Sequence, residues 1–143
     1  MLRDMSLTPT ALLLLGVQRC RLEGHPHERE LARQWAHAVD EARAVGQLIV
    51  LMQWDGLPDT PGETFGKGWT LHPDFRVEAG DLPVRAGLPD AFWHTDLAAE
   101  LHARAVREVV LLALPGVPEL AATAQAAQEA GFTVRVLDVL IPV

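Results

Sequence analysis

At 143 residues the chain can bury about two thirds of its unfolded surface, enough for one core and too little for two, so a single domain over residues 1–143 is expected. Twelve basic against nineteen acidic residues give a net charge of −7 with no basic stripe, which argues against nucleic acid and anionic membrane as partners. A lone cysteine excludes an intrachain disulfide, and with no cleavable leader and no apolar run of membrane-spanning length the expected location is the cytoplasm.

The predicted elements alternate. Ala11–Val17 reads as a first buried strand. Glu28–Val45 follows as a helix, with Leu31, Trp35, Ala38, Val39, Ala42 and Val45 on one face and Gly46 as its stop. Gln47–Gln53 is the second strand, and a long Pro/Gly-rich loop runs from it to a short strand near Leu82–Arg85. A helix is expected from Thr95 to Ala105 with Thr95 as N-cap. The run from Val109 to Leu114 has the composition of a strand covered on both faces. Pro115, Gly116 and Pro118 break it, the Ala-rich helix Glu119–Ala130 ends at Gly131, and Phe132–Asp138 closes the series as a strand. Alternation of this kind implies an α/β fold, a three-layer α-β-α sandwich around a parallel, Rossmann-like sheet. The expected strand order is 3-2-1-4-5, with any site at the switch between the first and fourth strands.

Val109–Glu119 is the most informative stretch: a strand, a tight turn and a helix N-terminus, whose free amides and positive dipole end suit an anion or an activated nucleophile. Together with ALLLLGVQ at Ala11–Gln18, WDGLPDTPGETFGKGWTLHP at Trp54–Pro73 and VRAGLPDAFWHTDL at Val84–Leu97, it resembles the isochorismatase-like family of cysteine hydrolases, which includes nicotinamidases and carbamoyl-amide hydrolases. The resemblance covers most of the chain, in order. It implies that the general-base aspartate of the family falls on Gly16, its lysine on Ala86 and its nucleophilic cysteine on Glu119. Acyl transfer from an amide needs a nucleophile, a proton acceptor and a positive centre for developing charge, and these positions offer none of them in the family's form. The resemblance also implies a cis peptide in the turn before Glu119, and Leu114–Pro115, which falls on that bond, is predicted to be cis.

Neighbouring residues do not simply take over. Arg85 beside Ala86 points to the opposite face of its strand. Cys20, between Arg19 and Arg21, reads either as an activated thiol and alternative nucleophile or as a small packed hydrophobe. Glu119 reads as a raised-pKa acid or as a simple helix-terminal charge. Gln18, Trp54, Phe92, Trp93, Pro115 and Glu119 are the candidate pocket residues for a small-molecule ligand. The six histidines match no metal-ligand spacing, the Asp-x-His of the nicotinamidase branch is absent at Gln53-Trp54-Asp55, and neither metal nor cofactor is expected.

Family members continue beyond the fifth strand, whereas this sequence ends at Leu140-Ile141-Pro142-Val143, so an open sheet edge and a homodimer or higher homo-oligomer are expected. Three functional readings stand. The chain is a catalytically silent family member, a pseudoenzyme kept for ligand binding or assembly; or a hydrolase of small amides, ureides or esters with chemistry relocated to Glu119 or Cys20; or a structural subunit whose pocket has filled.

Overall fold

A computed structural model describes residues 9–137. Strands β1 (Thr10–Leu15), β2 (Leu48–Trp54), β3 (Leu82–Ala86), β4 (Glu108–Leu112) and β5 (Thr133–Val136) form one parallel sheet in the order β3-β2-β1-β4-β5. This is the predicted order. Successive strand residues divide between two cores, as the period-2 alternation of a sheet requires. Ala11, Leu13, Leu15, Val50, Met52, Val109 and Leu111 pack toward helices α3 (Leu97–Ala103) and α4 (Pro118–Glu129). Leu12, Leu14, Ile49, Leu51, Val110 and Leu112 pack toward Leu31, Trp35 and Val39 of helix α2 (Glu28–Ala44). A sheet with apolar residues on both faces needs helices on both, and the three layers follow.

Several local expectations change. A short helix α1 (Arg19–Leu22) and a 3-10 turn at Lys67–Trp69 went unread, because segments of four and three residues carry no detectable period. Val45 lies at the end of α2 and is exposed, since that helix rotates its last turn off the core. The N-cap of α3 is Asp96. Thr95 instead donates its hydroxyl to Ala91 O at 2.7 Å and accepts from Leu97 N at 3.3 Å, closing the turn before the helix.

The Leu114–Pro115 bond is trans, because no peptide bond among the described residues is cis. Trans is the lower-energy isomer of an X-Pro bond by about 0.5–1 kcal/mol, and the turn closes with Val117 N–H donating to Leu114 O at 3.5 Å. This turn therefore departs from the geometry that the resemblance implies. The sequence expectation for β5 extended to Asp138, which with Leu140–Val143 lies outside the described residues.

The long loop after β2 is stitched to the end of β1. His72 N–H donates to Val17 O at 2.8 Å and Arg19 N–H to Thr70 O at 2.9 Å. His72, itself buried, accepts at Nδ1 from Asp74 N–H at 3.2 Å, which leaves its proton on Nε2 to donate to Glu28 at 2.8 Å. That pair fixes the loop to the start of α2 and holds the Glu28 carboxyl below its ordinary range.

Candidate functional site

Gly16, Ala86 and Glu119 all stand at the C-terminal end of the sheet: just after β1, at the end of β3 and in the first turn of α4. In an open parallel sheet this is where sites form, beside the switch between β1 and β4. The centre of the region is occupied by an ion pair. Arg21, on α1, donates from Nη1 to Oε1 of Glu119 and from Nη2 to Oε2, each at 3.1 Å. The guanidinium lies over the Trp54 indole at 5.3 Å from the ring centroid. Two parallel bonds from a planar fork onto a carboxylate, with an aromatic face behind the fork, give a rigid arrangement.

Gly16 makes room for this. Its φ is +86°, a backbone state that other residues adopt only with strain, and a Cβ built on it would meet Arg21 Cδ at 2.9 Å, Nε at 3.0 Å and Nη1 at 3.1 Å. The space that a side chain at position 16 would enter is filled by Arg21. Glu119 is 8% exposed. Burial pushes its carboxyl upward, but the hydrogen bonds and charge of Arg21 outweigh that and hold it below the ordinary glutamate range. A carboxylate so stabilised is a poor general acid.

Gln18 is fully buried and saturated. Its Nε2 donates to Trp54 O at 3.2 Å and Trp69 O at 2.9 Å, and its Oε1 accepts from Trp54 N–H at 2.9 Å. It acts as a clamp joining β1, β2 and the long loop. Trp54 is buried and donates its indole N–H to Leu88 O at 2.6 Å. The structure thus brings Gln18, Trp54 and Glu119 into one region, with Arg21 linking the last two.

The other candidates lie apart from that contact set. Phe92 stacks on Phe132 at 6.0 Å, Trp93 is 51% exposed and stacks on His94 at 4.4 Å, and Pro115 is exposed on the turn. Ala86 is buried. Its neighbour Arg85 donates to Asp55 at 3.2 and 2.9 Å and lies over Phe65 and Trp69, so its charge is spent on the opposite side of the strand.

Cys20 is exposed rather than a packed hydrophobe, and it is no thiolate at neutral pH. Partial burial of its sulfur pushes the thiol pKa up against the lowering effect of Arg21. Arg21 was noticed in the sequence only as a neighbour of Cys20. Its true partner is 98 positions away, and only the meeting of β1 and β4 could reveal it.

Among the described residues no group of three or more His, Cys, Asp or Glu side chains is placed to hold a metal ion, and no helix is long and apolar enough to cross a membrane. A cavity of about 680 Å3 opens elsewhere, between the loop before α2 and the His72–Asp74 segment.

No protein-family model matches the sequence. The chain is 32% identical over 127 residues to a streptothricin hydrolase of Streptomyces noursei, a match that covers 87% of this chain and 46% of that protein. It thus spans about half the length of that relative. Among solved structures it is similar to an isochorismatase homologue of Burkholderia xenovorans LB400, with a TM-score of 0.81, 29% identity, 92% of this chain and 66% of the other. The N-carbamoylsarcosine amidase of Thermoplasma acidophilum shares the fold at a TM-score of 0.80 and 20% identity, over 90% of this chain and 80% of that one.

Proposed function

We infer that this chain, which belongs to the isochorismatase-like hydrolase family, keeps the fold of its relatives without their hydrolysis and serves in assembly. One observation carries the reading: the Arg21 side chain stands in the space beside Gly16 and is locked onto Glu119 by two hydrogen bonds. A hydrolytic centre needs a nucleophile, a base to take its proton and room for the substrate carbonyl between them. Here the three positions that the resemblance assigns to catalysis hold glycine, alanine and a neutralised glutamate. Fold alone does not restore chemistry that the side chains lack. With its polar groups satisfied internally, the former centre contributes to folding, and what remains for function is the outer surface of the domain.

The likeness to a streptothricin hydrolase favours a second reading, turnover through relocated groups. Glu119 would then activate water, or Cys20 would attack. The low proton affinity of Glu119 and the raised pKa of Cys20 both weigh against it.

The test is hydrolysis of streptothricin and a panel of amides, ureides, vinyl ethers and activated esters by wild type, Glu119→Ala and Cys20→Ser. Rates equal to buffer in all three are expected. Turnover by the wild type that one substitution abolishes would establish the relocated-chemistry reading instead.

A further inference from the structure

The two outer strands of the sheet, β3 and β5, differ in what they offer to another strand. In a parallel ladder alternate residues turn both N–H and C=O toward the same neighbour. Ala86 O accepts from Asp55 N–H at 2.9 Å, so Leu82, Val84 and Ala86 face β2, while Pro83 and Arg85 face outward. Pro83 has no N–H to donate, and Arg85 is covered by the loop bearing Asp55, Phe65 and Trp69. That edge is blunted.

On β5, Thr133 N–H donates to Arg107 O and Leu137 N–H to Leu111 O, both at 2.9 Å. Thr133, Arg135 and Leu137 therefore face β4, and Val134 and Val136 turn their backbone groups away from it. Neither is proline, and Val136 is 46% exposed.

We propose that β5 is the interface between two copies of this chain, paired antiparallel about a two-fold axis at Arg135, with Val134 of one copy opposite the partner's Val136. The symmetry makes the edge self-complementary, since the same two residues supply donors and acceptors on both sides and every outward N–H and C=O of the pair is met at once. Charge favours this place on a molecule whose copies repel through a net charge of −7. The described part of β5 carries no acidic residue, and its one cation, Arg135, is held by Glu108 of its own copy at 3.6 Å. Beside β5 an apolar groove of about 240 Å3, lined in part by Leu12, Ala42, Val45, Val110 and Leu137, comes alongside its symmetry mate and adds the apolar burial that a bare strand pair lacks. The interface does not depend on whether the Arg21–Glu119 centre is silent.

Light scattering coupled to size exclusion at tens of micromolar subunit is expected to give twice the subunit mass. Val136→Pro removes one outward N–H and spares the β4 ladder, and Val136→Lys leaves the backbone intact while charging the edge. Both are expected to be monomers with wild-type circular dichroism, whereas Pro83→Val at the opposite edge stays dimeric. Amide exchange followed residue by residue in the wild type is expected to slow at Val134 and Val136 at least tenfold between dilute and concentrated samples, a readout that requires no variant to fold. A monomeric wild type, a dimer surviving in both folded Val136 variants, or amides of Val134 and Val136 that exchange equally fast at both concentrations would overturn the proposal.

Discussion

Glu119 carries most of the account at the scale of single residues. It is held by Arg21 at 3.1 Å through both oxygens, in a region with little solvent. Replacing it with alanine leaves the guanidinium without its partner, and a loss of about 1–3 kcal/mol of unfolding free energy is expected from urea denaturation. Arg21→Met should cost a similar amount, and the double variant less than the sum, because the two side chains act as a unit. The pH dependence has a definite sign. The Glu119 pKa is depressed in the folded state, so its contribution is fully present above the unfolded glutamate pKa of about 4.3 and is lost as pH falls through the lower folded value. Thermal melts of Glu119→Gln should therefore lose less stability than wild type on going from about pH 5 to pH 3. A wild-type acid limb no steeper than that of the variant would contradict the assignment.

At the scale of elements, Gly16 and Gln18 explain how the end of β1 closes the site. Gly16 admits Arg21 because it has no Cβ and because its φ is +86°. Gly16→Ala is expected to destabilise by about 1 kcal/mol from the backbone alone, and further through the displaced arginine, measured as a fall in the unfolding midpoint. Gln18→Leu fills similar volume but leaves Trp54 N–H without its acceptor in a buried setting, so a loss of about 1–3 kcal/mol is expected. How legible each element was followed from its length. The strands and α2 announced themselves through long apolar or periodic runs, and their parallel order followed from alternation with helices. Helix α1 was too short to show a period, yet it delivers Arg21 to Glu119. The vacant family positions could be read from aligned motifs. What fills them could not, because that contact joins residues far apart in the chain and depends on the register of β1 against β4.

At the scale of the whole molecule, the isochorismatase-like fold survives where its centre has been rebuilt. The sheet, its switch point and the helices on both faces stay in place because two apolar cores hold them, independently of the polar side chains at the strand ends. Chemistry and fold are thus separable here, and the parts of the surface that remain available, above all the free edge of β5, become the places to look for function. The central claim is that the former catalytic position holds a carboxylate neutralised by Arg21 rather than one poised to transfer protons. A carbon-13 NMR titration of the Glu119 side-chain carboxyl tests it directly, in wild type and in Arg21→Met. The account predicts a titration below the ordinary glutamate range that moves upward when Arg21 is removed, and a wild-type carboxyl titrating above that range, unmoved by the substitution, would contradict it.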